Sequence, residues 1–368
     1  MFPARQQRKR RYDRWMPQIV VDLFSDTLTK PSPAMRQAMA DAEVGDEQKF
    51  EDPTTNRLQE MVAELVGQEA AVFLPSGTMC NEIAFAVHCN AGDEVLLDQT
   101  AHPLTSEAGG PAVISRVLLR PLAGDRGIFT VAQLTAIPLT RSRHAPVSRL
   151  VSVEQTSNYG GGSCWSLEHV RGVTDVAHEH GLSAHCDGAR LLNAVVATGT
   201  PAADFGRCFD SIWIDLSKGL GAPVGAVLAG SADFIDQAWK WKQRLGGAMR
   251  QSGVIAAAGI YALENNVDRL VEDHANARAF ADGIASLPGI GLDPATVETN
   301  IVIFDVSGTG LAATAIAERT LAEHGVRLCP LSATVIRAVT HLDVDRAGID
   351  AAVEALQSIL SAPATISA

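Results

Sequence analysis

An α/β fold, with an open and mostly parallel sheet between layers of helices, is predicted by three features of the sequence. Short apolar strand-like runs alternate with stretches of helical periodicity. Three of those runs end in turns that present Ser, Gly, Asp or Lys. The 368 residues, 46% hydrophobic and 20% charged, are enough for a large unit and a smaller one.

The elements follow in order. Residues 19–23 read as a short strand and 33–42 as a helix with proline near its start. From Asn56 onward Leu58, Met61, Val62, Leu65 and Val66 share one helical face, and Gly67 stands where a helix C-cap belongs. Residues 70–74 form an apolar strand, 75–78 a turn and 79–88 a helix. Further strands are expected at 94–98, 150–154, 182–186, 211–215 and 225–229, with helices at 170–179 and 232–241. One long helical stretch is expected over 255–287, ended by Pro288-Gly289. Strand 300–304, helix 313–324, strand 335–340 and helix 349–360 then make a smaller α+β unit. The expected organisation is a flexible basic arm over 1–17, a large domain over 18–265, a small C-terminal domain over 266–362 and a tail over 363–368. No internal repeat interrupts this plan.

Composition excludes several classes of function. The formal charge is -12, from 30 Lys+Arg against 42 Asp+Glu, and the basic run between Arg5 and Arg14 leaves the remainder more acidic still. No nucleic-acid partner is expected. The apolar runs fall far short of the roughly 20 residues that cross a bilayer, so no membrane partner is expected either. The six cysteines are scattered without a C-x-x-C pair and read as reduced, buried thiols. The N-terminal segment lacks the apolar core of a secretory signal, and a cytoplasmic location is expected. His178-Glu179-His180 does not have the spacing of a metal motif, and no metal site is expected.

Three turns at strand ends concentrate the chemistry. The first, Pro75-Ser76-Gly77-Thr78, opens a helix whose free N–H groups and dipole suit an anion such as a phosphate; a plain Ser/Thr helix cap is the alternative. In the second, Asp187-Gly188-Ala189-Arg190, an acid emerges from an apolar strand and needs a cationic or N–H partner, with an internal Asp–Arg pair as the simplest one. The third, 215–225, sets Lys218 among glycines, where burial of an ammonium is costly without a task. These glycines do not match the G-x-G-x-x-G pattern of dinucleotide binding, and no phosphate-binding G-x-x-x-x-G-K-[ST] run exists. One cofactor asks for all three turns together. Pyridoxal 5′-phosphate needs a lysine for its Schiff base, a carboxylate beside its pyridine nitrogen and donors for its phosphate.

Several segments carry a family resemblance. Residues 22–31 (DLFSDTLTKP), 51–54 (EDPT), 75–81, 187–190, 217–225, 245–251 (LGGAMRQ) and 339–343 (VTHLD) resemble, in order, the L-threonine aldolases, fold-type I pyridoxal-phosphate lyases. The resemblance implies Lys218 as the Schiff-base lysine, Asp187 as the pyridine-nitrogen partner, and Gly77 and Thr78 as phosphate donors. It implies His102 stacked on the cofactor ring, and Arg190, Arg337 and Ser25 around the substrate carboxylate. Arg250 is implied to reach a neighbouring subunit's phosphate, so a homodimer or homotetramer with shared active sites is expected.

Two departures stand out. Where the family usually reads Glu-Asn-Thr-His-Asn, this chain has Glu154-Gln155-Thr156-Ser157-Asn158, which puts Ser157 near the substrate's β-hydroxyl; Lys49 and Phe50 stand where an aromatic and a glycine are usual. The expected activity is retro-aldol cleavage of L-β-hydroxy-α-amino acids, such as L-threonine or L-allo-threonine, to glycine and an aldehyde. His102 or an ordered water takes the hydroxyl proton in this reading. A related transaldolase, racemase or β-eliminating lyase, or a non-catalytic protein that binds the cofactor, is the alternative.

Overall fold

The computed structural model describes residues 18–137 and 143–361. The arm expected over 1–17 and the tail over 363–368 lie outside the described residues. Twelve strands are numbered along the described chain: β1 Val21–Asp22, β2 Ala70–Leu74, β3 Glu94–Asp98, β4 Leu118–Leu122, β5 Ser148–Glu154, β6 Ser183–Gly188, β7 Ser211–Asp215, β8 Ala226–Gly230, β9 Ile301–Asp305, β10 Val326–Arg327, β11 Cys329–Pro330 and β12 Val335–Val339.

Seven of them form the main sheet in the order β2-β8-β7-β6-β5-β3-β4, with only β8 antiparallel to its neighbours. Because side chains alternate across a strand, each strand feeds two cores. Ala71 and Phe73 of β2 join one core with helices Pro53–Val66, Leu167–Glu179 and Gly253–Asn265, while Val72 and Leu74 join the other with helices Gly77–His88 and Ala232–Arg244. Both faces are therefore covered, as a mostly parallel sheet requires.

Local sequence accounts for many of the boundaries. Helix Pro53–Val66 starts where the Asp52 side chain accepts the Thr55 N–H, has proline in its first turn, and stops at Gly67 with φ 67°. Strand β4 escaped the reading because Arg120 and Pro121 interrupt its apolar run. It is the last strand of the sheet, bonded on one side only, where proline is tolerated.

The stretch over 255–287 is two helices, not one. Helix Gly253–Asn265 packs in the main core, the chain breaks, and helix Leu270–Ile284 carries Ala277, Phe280, Ala281 and Ile284 into a third core. The break lets neighbouring segments serve different cores. That third core lies beside the antiparallel sheet β11-β12-β9 and helices Ala313–His324 and Arg346–Ser361. Strand β1 differs from the expectation that placed it with the large domain. It pairs in parallel with β10, and Val21 and Leu23 are buried in the small unit's core. A two-residue strand has too little apolar surface to announce its partner.

Among the described residues no helix is long and apolar enough to cross a membrane, and no group of three or more His, Cys, Asp or Glu side chains is arranged to hold a metal ion. All six cysteines are unpaired.

Candidate active site

The carboxyl ends of β2, β3, β5, β6 and β7 converge on one cavity of about 200 Å³. Ligands bind at this edge of open α/β sheets because the turns leaving the strands end there. The lining includes Gly77, Thr78, His102, Asp187, Arg190 and Lys218, so six of the ten residues singled out in the sequence meet in one place.

Each is positioned by its own element. Helix Gly77–His88 begins at Ser76, whose hydroxyl accepts the Met79 N–H at 3.2 Å. The remaining first-turn N–H groups have no intrahelical partner, and Ser76, Gly77 and Thr78 line the cavity. Gly77 cannot be anything larger: a Cβ there would lie 2.2 Å from Cη2 of Trp213. Asp187, near the end of β6, is 2% exposed and accepts the Asn81 amide at 2.9 Å and the Ala189 N–H at 3.1 Å. These donors replace the water lost on burial.

Lys218 follows the end of β7. Its Nζ lies 3.3 Å from Oδ2 of Asp215 and 5.7 Å from the centre of the Trp213 ring. The other Asp215 oxygen accepts both the N–H and the hydroxyl of Ser217, at 2.7 and 2.8 Å, which fixes the turn. Thr29 closes it from outside by donating its hydroxyl to the Lys218 carbonyl at 2.9 Å.

His102 lies beyond the end of β3. Its backbone N–H donates to Glu154 at 3.0 Å, and its Nδ1 lies 2.8 Å from Glu107. Burial pulls the His102 pKa down, but the Glu107 hydrogen bond and the charges of Asp187 and Glu107 outweigh it, and the net shift is upward. Glu154 also accepts the Asn158 N–H, at 2.9 Å. Burial and then the charge of Asp187 push Glu154 up to about 7, against the two backbone donors.

The arginines differ from the expectation. Arg190 lines the cavity, yet its Nε and Nη2 each donate at 2.7 Å to Asp26. Both groups are buried, and a lone buried guanidinium would cost several kcal/mol, so the fork is occupied by protein. Burial alone would raise Asp26; Arg190, with help from Lys218 and Asn300, instead holds it well below the usual carboxylate range. The simple partnership of Arg190 with Asp187 does not form. Arg337 donates at 2.7 Å to Asn158, which lines the cavity, while its Nε is buried without a partner. Ser25 precedes Thr27, whose N–H its hydroxyl accepts at 3.2 Å, and adjoins Phe24, whose carbonyl accepts from Arg337 at 3.3 Å. Ser25 and Arg337 thus stand together just beyond the lining.

Besides Ser25 and Arg337, two further residues lie outside the lining. Ser157 is 1% exposed and accepts the Gly160 N–H at 3.2 Å, inside a turn closed by the Ser157–Ser163 bridge. Its hydroxyl faces Gly127, where a Cβ would lie 1.9 Å from Oγ. Ser157 is a turn residue here and does not line the cavity. Arg250 is also outside this cavity: its side chain is 64% exposed and pairs with Asp46 at 3.1 Å.

Sequence reasoning missed Asp26, Asn81, Glu107, Glu154 and Asp215. Asp215 precedes Lys218 by three residues and Glu107 follows His102 by five, spacings that are visible but carry no chemistry until the chain is folded.

An amine, a buried carboxylate and a helix N-terminus around one cavity at the strand ends define an enzyme of the fold-type I class. The fold agrees with that of the *Leishmania major* threonine aldolase, with a TM-score of 0.78 at 20% identity over 93% of this chain and all of that one. It also agrees with the *Rhizobium meliloti* aspartate aminotransferase, with a TM-score of 0.67 at 16% identity over 93% of this chain and 91% of that one.

The chain belongs to the beta-eliminating lyase family, whose model matches residues 22–307. Within it, the chain is 41% identical to low-specificity L-threonine aldolase 1 of *Arabidopsis thaliana* over 326 residues, 87% of this chain and 91% of the relative. It is likewise 41% identical to the low specificity L-threonine aldolase of *Escherichia coli* K12, over 89% of this chain and 95% of the relative.

Proposed function

We propose that the chain holds pyridoxal 5′-phosphate and cleaves L-β-hydroxy-α-amino acids to glycine and an aldehyde. One observation carries the reading: the Lys218 amine, the Asp187 carboxylate and the Ser76-Gly77-Thr78 helix start line one cavity of about 200 Å³. The fit to the cofactor is supported by the helix start at Ser76-Gly77-Thr78, which lines the cavity and is held close against the Trp213 ring because Gly77 has no Cβ. The cofactor, bound to Lys218, supplies an electron sink for the pair released from a bond at the amino acid's Cα.

The protein's residues do the rest. The first-turn N–H groups and the Thr78 hydroxyl hold the phosphate, and Asp187 keeps the pyridine nitrogen protonated while Asn81 holds that carboxylate in place. Arg337 and Ser25 receive the substrate carboxylate, which also satisfies the buried Arg337 Nε. Arg190 lines the same wall, clamped by Asp26. Holding the amino acid by its carboxylate aligns the Cα–Cβ bond for cleavage and leaves the β-substituent loosely held, which favours a broad range of aldehydes. Arg250, exposed and held at the surface by the Asp46 ion pair, could reach a neighbouring copy, in keeping with a homodimer or homotetramer. A cytoplasmic location fits the unpaired cysteines. The division into a large and a small domain is the frame for this site, with the small domain supplying Arg337.

The test is Lys218→Ala. The wild type incubated with pyridoxal 5′-phosphate should show the absorption band of the lysine-bound cofactor and release aldehyde from L-threonine or L-allo-threonine, and the variant should do neither. A band that persists would assign the cofactor to another lysine; a band without carbon–carbon cleavage would favour a related lyase or racemase.

A further inference from the structure

Behind His102 a hydrogen-bonded chain runs to Asp187 through two buried groups, Glu107 and Asn81, to which the sequence assigned no role. His102 Nδ1 lies 2.8 Å from Oε1 of Glu107. The same oxygen accepts the Asn81 amide at 2.8 Å, and that amide also donates to Oδ2 of Asp187 at 2.9 Å. The orientation of Asn81 follows from chemistry. Its Oδ1 lies 2.8 Å from the Trp213 indole nitrogen, which can only donate, so Oδ1 must accept and the two amide hydrogens must face the two carboxylates. His185 supports this from the far side, with Nε2 at 3.2 Å from the same Oδ1 and Nδ1 held by Ser211 at 2.8 Å.

Glu107 is fully buried at its side chain, whereas that of His102 is 35% exposed and lines the cavity. Nδ1 therefore points inward to Glu107, while the ring borders the cavity. We propose that Glu107 is the positioning residue of His102: it holds the proton on Nδ1, leaves Nε2 as the proton acceptor, and is tied through Asn81 to Asp187 so that ring and carboxylate form one rigid unit. A carboxylate behind a histidine fixes both its tautomer and its orientation. The upward shift of His102, in which the Glu107 hydrogen bond opposes burial, agrees with this pairing.

The role of Nε2 in turnover rests on the proposed aldol cleavage. The step balances: the β-hydroxyl proton passes to Nε2, its O–H pair closes the aldehyde carbonyl, and the Cα–Cβ pair stays with the glycine fragment, which then takes up a proton.

The positioning is tested without cofactor or substrate. The full chain is labelled with ¹⁵N-histidine, and the His102 signal is identified among the ten histidines by its loss in His102→Phe. The neutral ring should be the Nδ1–H tautomer in the wild type. Glu107→Gln should lower the His102 titration midpoint by about one unit or more, since it removes the charge. Glu107→Leu should release the tautomer preference, and in the cofactor-loaded protein lower kcat about 10²-fold with KM little changed. An Nε2–H ring in the wild type, or equal midpoints in the wild type and Glu107→Gln, would overturn the proposal. Should Glu107→Leu fail to fold, Glu107→Gln and the wild-type tautomer decide it. Should the loaded protein cleave no β-hydroxy amino acid, the proposed function fails while the NMR result still decides the positioning.

Discussion

Replacing Gly77 by alanine probes the anion site without touching a charged group. The added Cβ would lie 2.2 Å from Cη2, 2.5 Å from Cζ3 and 3.0 Å from Cζ2 of the Trp213 ring. Ordinary contact begins near 3.4 Å, so ring and helix start must separate by about 1 Å. The ring has little freedom to move. Trp213 is 2% exposed, and its indole N–H is engaged with Asn81 at 2.8 Å, so its retreat would break the link to Asp187. The helix start is the softer partner, and shifting it withdraws the N–H groups that would hold a phosphate.

Overpacking of this kind costs about 1–3 kcal/mol of stability. Loss of one well-aligned charge-assisted hydrogen bond adds about 1.5–3 kcal/mol to the binding loss, roughly tenfold to a hundredfold in affinity. Urea unfolding of the cofactor-free protein and titration with pyridoxal 5′-phosphate, followed by absorbance, measure the two effects separately. Thr78→Val, which removes a hydroxyl without crowding the ring, should weaken binding and leave stability nearly unchanged. Unaltered cofactor affinity in Gly77→Ala would refute the placement of the phosphate at this helix start.

Other perturbations reach different parts of the site. Asp26→Ala leaves the buried Arg190 without its partner and should cost about 3–5 kcal/mol by urea unfolding; a loss below about 1 kcal/mol would show that solvent reaches the guanidinium. Asp187→Asn should lower kcat by about 10³-fold or more, on the order of 4 kcal/mol, with the cofactor still bound, and near-normal turnover would remove the carboxylate from the chemistry. Glu82 has both carboxyl oxygens buried without partners, and burial, then the charge of Glu107, pushes its pKa up to about 8 from 4.5. The unfolded chain releases this proton near 4.5 and the folded chain holds it until about 8, so the wild type loses stability as pH rises through that window. Glu82→Gln should therefore gain on the wild type between pH 4.5 and 8, by an amount on the order of 3 kcal/mol, in parallel urea series; a difference independent of pH would show that Glu82 ionises normally.

Much of the architecture was legible because it is local. Apolar runs such as residues 70–74 and 211–215 can only be buried strands, and the turns after them carry their chemistry in adjacent residues. Gly77, Asp187 and Lys218 could be singled out this way before any packing was known. The elements that escaped lacked such a signal. Strand β4 is broken by Arg120-Pro121, β1 is two residues long, and the break in the stretch over 255–287 follows from which core each half enters.

The sequence by itself determined the alternation of strands and helices, the turns at strand ends, and the residue types that mark an amine, an acid and an anion site. Only the tertiary structure decided which groups satisfy one another. It gave Arg190 to Asp26 across 164 residues, joined Asn81 to Asp187 across 106, set Glu107 behind His102 and turned Ser157 into a closed turn. Strand and turn propensities act over a few residues and can be read in order. The pairing of a buried charge is settled by proximity inside a water-excluding core, where each donor and acceptor must find a partner among side chains far away along the chain.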